Sequence, residues 1–366
     1  MMRIRKKFLS AVAAFLTLSL AASGCAPAPS SSSQPANLAP SETNQEISQQ
    51  SALVPATAPT LTQQNSVPSE ESETPDNNNM PLVYMTTDIS PEGLMKAYKA
   101  LNRVPAGKVA VKLSTGEPPA SNYLDPALIK DVVQEVNGTI VECNTAYGGS
   151  RANTAMHMQV AKDHGFTAIA DVDIMDAEGS TSIPVVGGTN LTENFVGSHF
   201  SNYDSFLVLS HFKGHAMAGF GGALKNISIG IASSDGKAHI HTGGKGGNMF
   251  SADQDAFLES MAEAAKSVSD SLDHGNHMLF INVMNRLSVD CDCDGNPAEP
   301  DMHDIGILAS LDPVALDQAC LDLVYNAPDS SSLIERIESR NGIHTVEHAE
   351  AIGLGSRTYQ LVNLDD

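Results

Sequence analysis

The chain has 366 residues and carries 43 acidic against 21 basic side chains, which gives a formal net charge of −22 at pH 7. Such an acidic surface repels nucleic-acid phosphates and anionic lipid headgroups. We therefore expect neither a nucleic-acid-binding protein nor one that meets a membrane through a basic face.

The first residues have the pattern of an export signal. They begin with four basic side chains, Arg3, Arg5, Lys6 and Lys7. An uncharged apolar run from Phe8 to Ala22 follows, and then Cys25 after small residues. We predict a lipoprotein signal peptide over residues 1–24, lipidation of Cys25, and a place on the extracytoplasmic face of the cell membrane. An ordinary cleaved signal with an incidental cysteine is the alternative.

Residues 25–80 form a segment rich in Ser, Pro, Asn and Gln. No Lys or Arg lies between Lys7 and Lys96, and no aromatic residue lies between Phe15 and Tyr84. A segment with so little apolar surface cannot offset its chain entropy by burial, so we predict a disordered tether. Without residues 1–24, which hold four basic and no acidic residues, the net charge becomes 17 − 43 = −26.

Residues 81–366 alternate apolar runs with helical patterns, which predicts one α/β domain or two sub-domains. The expected fold has mainly parallel sheet with helices on both faces. Strands are predicted at 82–85, 109–113, 139–141, 168–172, 206–209, 227–231, 278–284, 305–309 and 358–362. Helices are predicted at 91–101, 125–136, 152–164, 253–272 and 314–324, with two more short helices after residue 331. Ser90 and Asp125 are the expected N-caps of the first two.

The stretch 205–242 contains the strongest signal for a site. A strand is followed by His211, Lys213 and His215, then by a glycine-rich turn over 219–222, which includes Gly221 and Gly222. Polar side chains and glycines after a strand are typical of ligand sites at the carboxyl ends of α/β sheets.

Further along this stretch, Lys225 follows the turn, and His239 and His241 follow a second apolar run. On a strand these two histidines would share a face. We expect His215, Lys225 and His241 to converge on one cavity, with Lys225 as a nucleophile or Schiff-base former. An anion contact or a plainly solvated lysine is the alternative for Lys225.

Two further polar clusters follow predicted strands. One contains Gly149, Ser150 and Arg151, with His157 on the next helix. The other is the run Asp290-Cys291-Asp292-Cys293-Asp294. Thiolates and carboxylates are metal ligands, so Cys291 and Cys293 are candidate ligands to a metal or cofactor. An acidic loop with structural thiols is the alternative, and no disulfide is expected between cysteines one residue apart.

Several motifs closely resemble the domain of unknown function 362 family, over roughly residues 106–326. They are Leu209-Ser-His-Phe-Lys-Gly-His215, Ala218-Gly-Phe-Gly-Gly-Ala-Leu-Lys-Asn226, Asp290-Cys-Asp-Cys293, Asp304-Ile-Gly-Ile-Leu-Ala-Ser310, Gly149-Ser-Arg151 and Asp312-Pro-Val-Ala-Leu-Asp-Gln-Ala319. Many relatives carry a ferredoxin-type insert after the His241 region. This chain has residues 245–250 there without cysteine, so ferredoxin-type iron–sulfur clusters are not expected in it.

A more distant resemblance is to the nickel-pincer lactate racemase family. His215, Gly221-Gly222, Lys225 and His241 stand in the order and spacing of that family's motif. The resemblance implies a nickel-pincer nucleotide tied covalently to Lys225, a nickel ligand at His241 and a proton-transfer base at His215. His157 is a candidate second base, although it matches no motif.

We therefore predict a lipid-anchored α/β protein that binds a metal or metallo-cofactor. Its activity would be of redox or isomerase type on a small polar substrate. Arg151, Lys213, Gly221 and Gly222 would help to hold the cofactor. One alternative is a non-catalytic lipoprotein that captures a small anion through Lys213, Lys225 and backbone N–H groups. Another is a membrane scaffold whose partner protein carries the iron–sulfur clusters.

Overall fold

The computed structural model describes residues 80–366, so the predicted signal peptide, Cys25 and nearly all of the predicted tether lie outside the described residues. Within that range the strands are β1 Leu82–Thr86, β2 Val109–Lys112, β3 Thr139–Glu142, β4 Val172–Ile174, β5 Ser180–Pro184, β6 Glu193–Gly197, β7 Ser205–His211, β8 Lys213–His215, β9 Gly219–Gly221, β10 Met278–Met284, β11 Gly306–Ser310 and β12 Gln360–Asn363. The α-helices are α1 Pro91–Ala100, α2 Pro126–Glu135, α3 Thr154–Asp163, α4 Ala223–Ser228, α5 Ser234–His241, α6 Gln254–Ser271, α7 Pro313–Asn326, α8 Ser331–Ser339 and α9 His344–Ala351. None of these helices is both long and apolar enough to cross a membrane.

One large sheet organises the fold. Its eight strands have the order β12-β1-β11-β10-β7-β2-β3-β4. All neighbours pair in parallel except those of β11, which is antiparallel to both β1 and β10. The prediction of a mainly parallel sheet is therefore confirmed, and β2, β3, β7 and β10 direct their carboxyl ends to the same edge.

Helices cover both faces of this sheet, as predicted. Along β7, Phe206 and Val208 face one apolar cluster and Leu207 and Leu209 face the other. The first cluster contains side chains of α4, α6, α7, α8 and α9, and the second contains those of α1, α2 and α3. Strands buried on both faces read as continuous apolar runs, which is why β7 and β10 could be recognised from sequence.

Local capping sets several helix starts. The Ser90 hydroxyl accepts a hydrogen bond from the Gly93 N–H, and the Asp125 carboxylate accepts one from the Ala127 N–H. Both N-cap predictions are confirmed, and each cap is followed by proline at the first helical position. Such caps lie within three residues of the group they satisfy, so the sequence alone reveals them.

Two predicted strands are wrong. Residues 227–231 were predicted as a strand but belong largely to α4 and the turn after it, and β4 lies at Val172–Ile174 after a short 3₁₀ turn instead of at 168–172. His239 and His241 lie on helix α5, so they do not share a face: His239 packs edge-on against Phe195, while His241 stacks on Phe257. The apolar run 227–231 is buried among helices. A segment buried on all sides has no alternation of apolar and polar residues, so its sequence does not distinguish a helix from a strand.

Candidate functional site

A cavity of ≈ 690 Å³ opens where the parallel strands end. Lys112 at the end of β2, Glu142 at the end of β3 and His211 at the end of β7 all line it. Because these strands are parallel neighbours in the sheet, their carboxyl ends bring the three side chains to one edge. The cavity therefore occupies the usual ligand position of an α/β sheet.

Most of the predicted site residues lie around this cavity. Those in its lining are Arg151, Lys213, His215, Gly221, Gly222, Lys225, His241, Cys291 and Cys293. His157 is not among them, because it is fully buried behind the wall on α3. His239 is also outside the lining, since α5 turns it toward Phe195.

Lys225 owes its position to the start of helix α4. The carboxylate of Asp317, on α7, accepts hydrogen bonds from the Ala223 and Leu224 N–H groups at 2.8 and 2.9 Å. Those N–H groups have no partner inside the helix, and Gly222 supplies no side chain to cap them. Asp317 thus fixes the first turn of α4, from which Lys225 extends into the cavity.

The ammonium group of Lys225 differs from those of the other lysines in the lining. Lys112 donates to the Leu113 carbonyl and to Asn226, and Lys237 donates to the Ala232 carbonyl. Within residues 80–366, Lys225 makes no hydrogen bond or ion pair through its side chain. Its amine is therefore available to a ligand.

Burial lowers the pKa of Lys225 to about 8, an effect that Asp292 opposes and that the charges of Lys112, Arg151 and Lys237 reinforce. Burial also lowers the pKa of Lys112 to about 8. An amine with a pKa near 8 is partly neutral at physiological pH, and the neutral form is the nucleophile and the base.

Lys213 is used by the protein itself. Its ammonium contacts Asp292, His211 and the Asn122 carbonyl, which accounts for its three N–H donors. His211 donates through Nε2 to the Asn285 carbonyl at 2.6 Å. Lys213 therefore holds the loop that contains Asp292 against the sheet, and it has no donor left for a ligand.

His215 and His241, two of the three histidines that line the cavity, are fixed in opposite roles. In His215, Nδ1 accepts hydrogen bonds from the Met217 and Ala218 N–H groups, so a neutral ring carries its proton on Nε2 and donates there. In His241, Nδ1 donates to the Lys237 carbonyl at 2.7 Å, which leaves the Nε2 lone pair free. Burial lowers the pKa of both rings, that of His241 to about 4 and that of His215 well below its usual value.

A buried ionic network includes two residues of the cavity lining, Glu142 and Arg151. The Glu142 carboxylate contacts His157, lies 3.5 Å from Arg151 and accepts from the Thr115 N–H at 2.9 Å. Arg151 also pairs with Glu117 at 3.1 Å. Despite burial, the His157 and Arg151 charges hold the pKa of Glu142 well below its usual value. His157 thus acts on the network and contacts the cavity only through Glu142.

Cys291 and Cys293 are joined in a disulfide, contrary to the expectation from their spacing. A turn closed by the Asp294 N–H and the Cys291 carbonyl brings their Cα atoms to 5.3 Å, within the usual range for a disulfide. The flanking carboxylates are paired with cations, Asp290 with Arg336 and Asp292 with Lys213. The sulfurs and a ring nitrogen of His215 lie within 4.8 Å of one another.

Four charged residues of the site were not recognised in the sequence: Lys112, Glu142, Lys237 and Arg340. The first two sit at the last position of their strands, β2 and β3. A charged residue that ends an otherwise apolar run was the available signal. The sequence around Lys237 contained no such signal, because the contact of Lys237 with the cavity depends on how helix α5 packs.

A family model described as "Domain of unknown function (DUF362)" matches residues 109–322, more than half of the 366-residue chain. The chain belongs to the DUF362 family. The match spans β2 to α7 and includes the cavity lining contributed by those elements. No curated protein matches this chain.

Two solved structures were found to be similar. One is the lactate racemase apoprotein from Thermoanaerobacterium thermosaccharolyticum, with 14% identity, a TM-score of 0.39 and coverage of 69% of this chain. The other is a protein from Thermotoga maritima, with 12% identity, a TM-score of 0.35 and coverage of 71%. The DUF362 chain spans 58% of each of these proteins.

The structure gives a physical role to one DUF362 motif of this chain, residues 312–319. Asp312 caps α7 by accepting hydrogen bonds from the Val314 and Ala315 N–H groups. Asp317, one turn further, caps α4 and also accepts from Asn282 at 2.7 Å. Two aspartates in one motif therefore fix two helices, and the second sets the position of Lys225.

Proposed function

We propose that the cavity binds a small molecule bearing a carboxylate or phosphate and supports proton transfer on it. The main support for this proposal is the charge of the residues that line the cavity. Six of its residues are Lys or Arg and four are Asp or Glu, whereas the whole chain has 21 basic and 43 acidic residues. Basic side chains gathered in a cleft of an acidic protein attract anions to that cleft.

Among the basic residues of the lining, two are free to meet a ligand. Lys225 and Arg340 have no ion pair or side-chain hydrogen bond within residues 80–366. Lys213 is neutralised by Asp292, and Arg151 by Glu117 and Glu142. A ligand anion would therefore be held by Lys225 and Arg340, with the Nε2–H of His215 as an additional donor.

The same groups supply the elements of acid–base chemistry. The charged form of Lys225 holds the anion. In the molecules in which its amine is neutral, Arg340 and His215 hold the anion and the Lys225 amine, with a pKa of about 8, can accept a proton near neutral pH. His215 donates through Nε2 and is suited to an oxygen on which negative charge develops. This division assigns the base to Lys225, where the sequence motif had suggested His215. Isomerase-type chemistry, which moves a proton on one substrate, needs no more than these groups.

A metal-binding function is the second candidate, and His241 favours it. Its Nδ1–H bond to a backbone carbonyl is the usual arrangement behind a metal-ligating imidazole. Because the pKa of His241 is about 4, protons do not compete for the Nε2 lone pair at neutral pH. A covalently tethered metallo-cofactor would find its attachment point in the free amine of Lys225.

A thermal-shift panel separates the two candidates. We expect phosphate and small dicarboxylates to raise the melting temperature of the purified protein, and Lys225→Met to abolish that shift. Lys130→Met, on the exposed face of α2, is the matched control and should keep it. A shift produced only by Ni²⁺, Co²⁺ or Zn²⁺ and lost in His241→Ala would favour the metal function instead. Shifts by anions that survive Lys225→Met would refute the proposed site.

We also propose that the protein is exported and anchored to the membrane through lipid on Cys25. The iron–sulfur partner protein stays a prediction. The sequence pattern of residues 1–25 supports the anchor. In the native host, fatty-acid labelling should mark the wild type and fail in Cys25→Ser, which should leave the membrane fraction. Equal labelling of both forms would exclude this attachment site.

A further inference from the structure

The disulfide between Cys291 and Cys293 lies in the wall of the cavity and is not part of the acid–base groups described above. Cys291 is 9% exposed, and Cys293 is more accessible. The other two cysteines of residues 80–366, Cys143 and Cys320, are free and buried. Cys143 also borders the cavity, but it is 4% exposed and its thiol donates to the Ile231 carbonyl at 3.3 Å. Within this range the disulfide is therefore the cysteine group most open to a solute in the cavity.

The surroundings of the pair favour a thiolate on Cys291. The Cys293 N–H donates to the Cys291 sulfur at 3.3 Å. A ring nitrogen of His215 lies within 4.8 Å of both sulfurs. Because Nδ1 accepts from two backbone N–H groups, a neutral ring carries its proton on Nε2, which can donate to a thiolate formed there. Donors to a sulfur stabilise the anion left when its S–S bond breaks, and they make that sulfur the better leaving group.

Metal ligation fits this arrangement less well. A zinc or copper ion would need both sulfurs as thiolates and a lone pair on Nε2 of His215. In this structure the sulfurs are oxidised and the Nε2 lone pair is taken by the proton that Nδ1 cannot carry. The nearby carboxylates of Asp290 and Asp292 are already paired with Arg336 and Lys213.

We infer that Cys291–Cys293 is a redox-active disulfide which exchanges electrons with a dithiol that enters the cavity. A thiolate of the dithiol attacks the Cys293 sulfur, the S–S bond breaks, and Cys291 leaves as a thiolate that later takes a proton. The second thiol of the reductant then attacks its own sulfur in the mixed disulfide and releases Cys293. The reductant ends as a disulfide, and the two cysteines end as thiols. The inference does not depend on anion binding.

Thiol trapping of the folded full chain tests the inference. We expect N-ethylmaleimide, mapped by peptide mass spectrometry, to label neither Cys291 nor Cys293 as purified. After brief treatment with dithiothreitol and without denaturant it should label both, while Cys143 and Cys320 stay unlabelled. Oxidised glutathione should restore the disulfide. Labelling of both thiols before reduction, zinc bound to them in the purified protein, or reduction only after unfolding would each overturn the inference.

Matched variants test the part assigned to His215. In His215→Asn the amide oxygen can still accept from the Met217 and Ala218 N–H groups, as Nδ1 does, but the distal donor is lost. We expect reduction by dithiothreitol to slow about tenfold in His215→Asn, the effect of a lost charge-assisted hydrogen bond. Lys130→Met, on the exposed face of α2 and outside the cavity lining, should reduce at the wild-type rate. An unchanged rate in His215→Asn would remove His215 from the mechanism.

Discussion

Lys225 should react with acetic anhydride at pH 8 up to about 100-fold faster than a lysine of ordinary pKa. With a pKa of about 8, roughly half of the Lys225 amine is neutral at that pH, against about 0.4% for an amine with a pKa near 10.4. Competitive acetylation of the folded protein, mapped by mass spectrometry, measures this ratio, and the exposed Lys130 provides the reference.

Two variants should shift the pH profile of Lys225 in opposite directions. Lys112→Met removes a cation that lowers the Lys225 pKa, so acetylation should require a higher pH. Asp292→Asn removes the carboxylate that raises this pKa, so the profile should move to a lower pH. A general loosening of the fold would move both profiles the same way, and that result would contradict the electrostatic explanation.

Asp317→Ala should lower the free energy of unfolding by about 3 kcal/mol, because it leaves two buried N–H groups at the start of α4 and the Asn282 amide without their acceptor. Denaturant unfolding measures the loss. Asp317→Asn is the matched control: its amide oxygen keeps one acceptor, and less than half of the loss is expected. Equal losses in both would mean that the acceptor is not the cause.

The same variant should affect the site. Without its cap the first turn of α4 loosens, and Lys225 lies in that turn. We therefore expect the fast acetylation of Lys225 to fall toward that of Lys130 in Asp317→Ala, under conditions where the protein remains folded. Unchanged acetylation would show that the position of Lys225 does not depend on Asp317.

Much of the fold could be predicted because its signals are local. The strands β7 and β10 are continuous apolar runs, and Ser90 and Asp125 cap helices within three residues of themselves. Helix α4 could not be predicted, since its cap, Asp317, lies 94 residues from Ala223 along the chain. No window of sequence around α4 contains the group that stabilises its first turn.

For the candidate site, too, some features could be predicted from the sequence and others could not. The glycine turn and the spacing of His215, Lys225 and His241 pointed to one region, and the structure places these three side chains around one cavity. Their chemical states were not readable from sequence. The donor role of His215 and the free lone pair of His241 depend on backbone groups that their neighbours present. The disulfide likewise depends on a turn, not on the spacing of its cysteines.

Localising a bound anion tests the central claim most directly. Selenate is a tetrahedral dianion whose selenium gives an anomalous signal, so a crystal grown with it shows where it binds. We expect a peak in the cavity within hydrogen-bond distance of Lys225 Nζ, about 3 Å, and no peak there in Lys225→Met. Selenate bound only elsewhere on the protein, with this cavity empty in the wild type, would contradict the account.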